Sequence, residues 1–227
     1  MDHRSRVGLE KKQKMKNHLM VSALDLYHQT SAEQNLLIDD FVKHAGVSRG
    51  TFYNYFTSTN ELLTEIAMQM SDEVLDIIEP TISPVDHPLE RIMLATKLYL
   101  RSAIRFPIWG QLITSIGPKF TIRGRNISQY LARDLKKAHD LGLIKVTDYR
   151  VSRDIFLGSA YYSLETILTE TVDQDYFNLV IETIFKNLGL PQGEVKRLMN
   201  LPLPNEIEIH TPFFTILKNK NHNLSVI

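Results

Sequence analysis

Apolar residues recur at three- and four-residue steps along almost the whole chain, and proline and glycine fall between the periodic stretches. That spacing predicts amphipathic helices throughout and an all-α fold. A first helix is expected from Lys11 to Gln29, with Met15, Leu19, Ala23, Leu26 and Tyr27 on its apolar stripe. A short second helix runs from Ile38 to Ala45, where Ile38, Phe41, Val42 and Ala45 fall at i, i+3, i+4 and i+7. A third spans Arg49 to Phe56. Ser58-Thr59-Asn60-Glu61 has the form of a capping box, in which the Ser hydroxyl and the Glu carboxylate satisfy free backbone N–H groups, and it opens a fourth helix to Glu79. Pro80, Pro84 and Pro88 then break the period. Further helices are expected at Leu89 to Arg105, Ile108 to Ile116, Arg123 to Leu141, Asp148 to Thr169 and Asp173 to Leu188, with Gly142 and Gly189 where C-terminal caps belong. After Pro191 the period fades. Leu201-Pro202-Leu203-Pro204, Glu206-Ile207-Glu208-Ile209 and Phe213-Phe214 fit a wrapped tail, short strands or mobile chain equally well.

The resulting division is residues 1–58, a helix-turn-helix unit with a basic arm; 59–80, a connecting helix; 81–190, a larger helical domain; and 191–227, a tail. At 227 residues the chain is long enough either for one large domain or for a small one joined to a larger. A hydrophobic share of 43% and a charged share of 23% are ordinary for a globular protein. With 26 basic and 26 acidic residues, net charge selects no partner, so any electrostatic argument must be local. The absence of cysteine removes disulfides, thiolate metal sites and cysteine nucleophiles together. The eight histidines share no helical metal spacing, so no metal and no cofactor are expected. Gly158-Ser159-Ala160 lacks the glycines of a nucleophile elbow, and no phosphate loop follows a predicted strand, so enzymatic activity is not expected. No opening apolar stretch resembles a secretion signal and no run reaches the ~20 apolar residues of a membrane span, which points to a cytoplasmic protein.

The informative unit is the joint Ala45-Gly46-Val47-Ser48 between the second and third helices. Gly46 can end the second helix in the left-handed conformation, Val47 can plug the angle, and Ser48 can cap the third helix. On a helical period Phe52, Tyr55 and Phe56 face inward, while Arg49, Gly50, Tyr53 and Asn54 face out. Arginine and asparagine are the side chains that bridge guanine and adenine edges in a major groove, and the phenol suits a phosphate. Upstream, Arg4, Arg6, Lys11, Lys12, Lys14 and Lys16 are opposed only by Asp2 and Glu10 within the first twenty residues, a local excess of 6 − 2 = +4. Such an arm adds salt-dependent phosphate contact beside a recognition helix.

Taken together, Ala45-Gly46-Val47-Ser48-Arg49-Gly50-Thr51-Phe52-Tyr53-Asn54-Tyr55-Phe56, followed by Ser58 and Glu61-Leu62-Leu63, resembles the DNA-binding domain of the TetR (tetracycline repressor) family of bacterial regulators. The resemblance implies an N-terminal three-helix helix-turn-helix domain and a larger C-terminal helical ligand-binding and dimerisation domain. It also implies DNA contacts from Ser48, Arg49, Gly50, Thr51, Tyr53, Asn54 and Tyr55, with Lys11, Lys12 and Thr59 alongside. Tyr53 and Tyr55 fall on phosphates in that scheme, although period alone assigns Tyr55 to packing. Thr59 stands where family members commonly carry a phosphate-binding lysine, and Leu37 stands where a Ser or Thr usually caps the second helix.

For the rest of the chain the resemblance implies a two-fold homodimer on a near-palindromic operator. Ile155, Ser159, Phe177, Val180, Ile184 and Phe185 would lie in its four-helix interface. An apolar or amphipathic small-molecule effector would touch Met93, Thr96, Tyr99, Phe106, Trp109, Tyr130, Phe156 and Tyr162, which combine apolar bulk with a few hydroxyls. The competing expectations are a dimeric DNA-binding regulator without an effector, and a helical carrier of small molecules that does not bind DNA.

Overall fold

The structure, a computed structural model, describes residues 3–30, 36–117, 125–204 and 207–221. The chain divides into two compact units, one holding Met1–Ala67 and His210–Ile227 and the other Met68–Ile209. The helices are α1 (His3–Gln29), α2 (Ile38–Ala45), α3 (Arg49–Tyr53), α4 (Thr59–Thr81), α5 (Pro88–Arg105), α6 (Pro107–Ser115), α7 (Arg125–Asp140), α8 (Tyr149–Thr169), α9 (Tyr176–Lys186), α10 (Gln192–Met199) and α11 (Pro212–Asn221). Among the described residues there is no strand.

In the first unit α1 packs on α2 and on α11. Its buried face is Leu19, Met20, Ala23 and Leu24. Leu26 and Tyr27, expected on the stripe, are only partly covered. The buried face is wider than a single stripe because α1 has helices on two sides. Phe41, Val42 and Ala45 of α2, Phe52, Phe56, and Leu62 and Ile66 of α4 supply the rest of this core, together with Phe213, Phe214 and Leu217 of α11. The tail is thus resolved into two further helices, α10 in the second unit and α11 in the first, neither of which the fading period disclosed.

Helix boundaries shift where local chemistry outweighs period. α1 is described from His3, eight residues before the expected start at Lys11, and passes through Gly8 without a break. α3 stops at Tyr53 rather than Phe56; Asn54 caps it and Tyr55 and Phe56 continue as a turn, both donating N–H to the Phe52 carbonyl. α4 runs past Glu79 through Pro80 to Thr81. α9 begins at Tyr176 rather than Asp173. The expected helix from Arg123 is described from Arg125 onward.

In the second unit α5 is central and packs on α6, α7, α8 and α10. Pro107 disfavours helical geometry at Phe106, whose φ of −118° and ψ of 75° separate α5 from α6. Trp109 is fully buried, with Tyr99 edge-on at 5.3 Å between ring centroids. Gly110 lets α6 approach α8: a Cβ there would stand 2.7 Å from Leu168 Cδ1 and 2.9 Å from the Ala103 carbonyl oxygen. Lys97, 6% exposed, donates to the Met199 carbonyl at 2.6 Å and so satisfies the end of α10.

Candidate nucleic-acid interface and ligand cavity

The turn between α2 and α3 is a Schellman closure built on one glycine. Gly46 has φ 66° and ψ 33°, its N–H reaches the Lys43 carbonyl at 3.3 Å, and Val47 N–H reaches the Val42 carbonyl at 3.0 Å. Because a Cβ at Gly46 would meet nothing within 4 Å, the cost of a side chain there is the left-handed backbone alone. Gly46→Ala is therefore expected to lower stability by about 1–2 kcal/mol in urea unfolding, without a steric clash. Ser48 Oγ accepts the Thr51 N–H at 3.1 Å and caps α3. Leu37 cannot cap α2 with its side chain, and half of that task passes to Asp40, whose carboxylate accepts the Leu37 N–H at 2.8 Å. At α4 the Ser58 hydroxyl accepts the Glu61 N–H at 3.1 Å, but the Glu61 carboxylate turns to Thr57, accepting from its N–H and hydroxyl. Those two bonds hold the Glu61 carboxyl below the usual carboxylate range.

This framework sorts the residues of α3 by face. Phe52 and Phe56 are buried, their rings tilted at 5.9 Å. Arg49, Gly50, Tyr53 and Asn54 are exposed, Thr51 and Tyr55 are half-buried, and Ser48 is exposed at the N-cap. Thr59 is half-buried at the start of α4. Of the arm, Arg6, Lys11, Lys12 and Lys14 are exposed on α1, Lys16 pairs with Glu65 at 2.7 Å, and Asp2 and the Arg4 side chain lie outside the described residues. A cation, an amide, a phenol and a glycine thus share the solvent face of α3, and α1 exposes Lys11, Lys12 and Lys14.

The second unit contains a cavity of about 100 Å³ lined by α4, α5, α6, α7 and α8. Thr96, Tyr99, Tyr130 and Phe156, four of the residues expected to touch an effector, line it. Met93, Phe106 and Trp109 instead belong to the solid core, at 0%, 4% and 0% exposure, and Tyr162 faces solvent at 58%. Its chain neighbour Tyr161 takes the cavity position. Consecutive helical residues point about 100° apart, so a correct helix with an uncertain phase exchanges one tyrosine for the next. The sequence reading also missed Glu79 and Asp134, which bring carboxylates to the cavity wall.

Those carboxylates belong to a four-charge cluster. Buried Arg91 donates to Glu79 at 2.5 Å, to Asp134 at 3.2 Å and to the Ile82 and Val85 carbonyls at 3.0 and 3.3 Å. Arg133 donates to Glu79 at 2.8 Å and to Asp134 at 2.8 and 2.9 Å, contacts that raise its pKa above the ordinary arginine value. One turn or two earlier on α4, Asp76 accepts from Asn126 at 2.8 Å and Tyr130 at 3.4 Å, and Asp72 accepts the Asn126 N–H at 3.1 Å. A row of acids on α4 is therefore gripped by α7, and both helices face the cavity. Burial pushes the Tyr99 phenol up, and its hydroxyl donates to Ser71 at 3.0 Å.

Of the expected interface residues, Ile184 and Phe185 are buried within the protomer at 3% and 0% exposure, and Phe185 stacks edge-on to Phe156 at 6.0 Å. Ile155 is exposed, and Ser159, Phe177 and Val180 are half-buried. The uncovered stripe on α8 is Val151, Ile155 and Tyr162, with the small residues Gly158 and Ser159 between them; Leu179 is exposed on α9. Among the described residues no helix is long and apolar enough to cross a membrane.

Comparison with known proteins agrees with both units. Residues 34–66 match the family described as bacterial regulatory proteins, tetR family, and residues 87–200 match the tetracyclin repressor-like C-terminal domain. No curated protein matches the chain. Among solved structures, RolR in complex with resorcinol superposes with a TM-score of 0.74 at 21% identity, over 88% of this chain and 100% of that one. RolR without ligand gives 0.71 at 21% identity, over 84% and 100%. A protein from Syntrophomonas wolfei assigned to the TetR-family transcriptional regulators gives 0.60 at 15% identity, over 78% and 96%. At these identities the likeness is one of fold, and the family follows from the two matched domains. With a helix-turn-helix that turns a cation and an amide outward and a C-terminal helical domain matched over residues 87–200, the chain belongs to the TetR family of DNA-binding transcriptional regulators.

Proposed function

We propose that the protein is a homodimeric repressor that binds a near-palindromic operator and is released by a small, uncharged, hydroxylated aromatic effector. The observation that carries the effector is the composition of the cavity wall. Leucine, isoleucine and phenylalanine surround the hydroxyls of Thr96, Tyr99, Tyr130 and Tyr161 and the carboxylates of Glu79 and Asp134, with no lysine, arginine or histidine among the lining residues. Such a wall disfavours anions and accepts hydrogen bonds from a donor on an apolar ring. Resorcinol, the ligand of the structurally similar RolR, has that chemistry.

Reading of DNA falls to Arg49, Gly50, Tyr53 and Asn54, with Ser48, Thr51, Tyr55 and Thr59 at the margin and Lys11 and Lys12 on phosphates. The α8 stripe of Val151, Ile155 and Tyr162, with Leu179 of α9, supports pairing with a second copy; Gly158 supports it too, since a Cβ there would meet nothing within 4 Å of its own protomer. A dimer sets two recognition helices about one DNA turn apart, ~34–36 Å. Effector and operator then compete through α4, provided the effector prefers one of its positions. Regulators of this family are generally not enzymes.

The test is selection of bound sequences from a random duplex pool, repeated with resorcinol and with benzoate. A palindrome with half-sites one turn apart, lost with resorcinol and kept with benzoate, is the expected result. Resorcinol at a hundred times its Kd would also stabilise the protein by about 2.7 kcal/mol. Equal retention of selected and random duplex would remove the operator claim. Release by benzoate but not by phenols would remove the effector claim. A second reading, a regulator without a small-molecule effector, is favoured by one observation: the hydroxyls of Thr96, Tyr99 and Tyr161 and both carboxylates already have partners within the protein.

A further inference from the structure

α2 carries two acids in its first turn, Asp39 and Asp40, and they have separate tasks. Asp40 accepts the Leu37 N–H and serves the helix end. Asp39 reaches across to α3. Arg49 Nε donates to Asp39 Oδ1 at 2.5 Å and Arg49 Nη2 donates to Asp39 Oδ2 at 2.8 Å, a fork-on-fork pair of charge-assisted bonds. Both side chains are 63% exposed, so the pair contributes little to folding. Its consequence lies in where it leaves the guanidinium.

A guanidinium has five N–H donors in a rigid plane. Asp39 occupies the edge formed by Nε and Nη2, and among the described residues no other hydrogen bond or ion pair holds Arg49. The remaining hydrogen on Nη2 and the one beside it on Nη1 form the second edge of the fork, and the other Nη1 hydrogen points back toward the side-chain stem. That edge can span O6 and N7 of guanine in a major groove. An unrestrained arginine on an exposed helix surface samples many rotamers and finds phosphates as readily as bases, and ordering it on binding costs affinity. The Asp39 carboxylate restrains the rotamer beforehand, and its negative charge opposes close approach of the same guanidinium to a phosphate.

We propose that Asp39 is a specificity-determining positioning residue: it presents the free edge of Arg49 to one guanine in each half-site and keeps that cation off the DNA backbone. The proposal rests on the assignment of α3 as the reading helix. Asp39 itself would act through Arg49, and its removal would exchange selectivity for general affinity.

The experiment compares base-preference profiles of the full-length protein and its Arg49→Ala, Asp39→Asn and double variants, selected from one random duplex pool at fixed salt. Melting curves confirm that each variant folds, which exposed positions on a helix surface permit. The unmodified protein is expected to prefer guanine at one position per half-site, and Arg49→Ala to reduce that preference by about 10-fold or more. Asp39→Asn should reduce it about 3- to 10-fold at the same position and no other, while affinity for random duplex rises. The double variant should be no flatter than Arg49→Ala alone, because the two residues act as one unit. If Asp39→Asn leaves the guanine preference intact, or weakens every position alike, Asp39 contributes only charge and the proposal is overturned. If Arg49→Ala leaves the profile unchanged, or the unmodified protein selects no sequence, the reading-helix assignment fails first and takes the proposal with it.

Discussion

Replacing Phe214 with alanine is expected to destabilise the DNA-binding unit by about 3–5 kcal/mol, the usual cost of deleting a fully buried aromatic ring. Phe214 is 0% exposed and Phe213 and Leu217 are 2% exposed, so α11 is seated in the core of that unit rather than laid over it. α11 packs on α1, and α1 in turn packs on α2, which sets the turn at Gly46. A unit this small has little stability to spare. Urea unfolding followed by operator binding should therefore show a lower first transition, with DNA retention lost while the second unit remains folded. Thr215→Ala, at an exposed position one residue away, should change stability by under about 0.5 kcal/mol. An unchanged first transition in the Phe214 variant would show that α11 does not belong to this core.

The second large effect is expected at Arg91. Truncation to alanine should cost about 3 kcal/mol or more, because it strips two carboxylates of their buried partner and leaves the Val85 carbonyl without its donor. Arg133 still neutralises Asp134 and Glu79, which keeps the loss near the lower end of that range. It has no bond to the Val85 carbonyl, which accepts from Arg91 Nη1, whereas the Ile82 carbonyl keeps the Val85 N–H at 3.0 Å when Arg91 is removed. Arg91→Lys should recover little, since an ammonium cannot reproduce a planar fork that serves four acceptors. Equilibrium unfolding in urea would measure both variants. A lysine variant as stable as the parent would mean that charge alone, not the geometry of the fork, holds α4, α5 and α7 together.

Much of the helix-turn-helix was legible because its signals are local. Gly46, Ser48, Phe52 and Phe56 each act within one or two helical turns, so their spacing states their roles. Tyr55, assigned to packing by period and to phosphate by resemblance, is half-buried, and its position at the end of a shortened α3 leaves a side available for each. The cavity was less legible. Residue type alone points to Thr96, Tyr99, Tyr130 and Phe156, which line the cavity, but the phase of α8 puts Tyr161 at the wall and turns Tyr162 to solvent. Arg91 and Asp134 are 43 positions apart, and a pairing over that separation leaves no trace in a hydrophobic period. Ile184 and Phe185 were assigned to an interface because apolar surface alone does not say which copy of the chain will cover it. α11 escaped notice because adjacent Phe213 and Phe214 give no spacing to read.

The seating of α11 bears on how regulators of this kind could exchange parts. A DNA-reading unit encoded wholly at one end of a gene can be recombined with a new sensory half by a single crossover. Here the reading unit draws its core from both ends, so one crossover near Ala67 would separate Leu19 and Leu24 from Phe213 and Phe214. A working chimera would need two crossovers, or a new α11 selected against the old α1. The recombination history open to such a gene is narrower than its two-unit architecture implies, and sensor-swapping designs must graft a segment rather than a terminus.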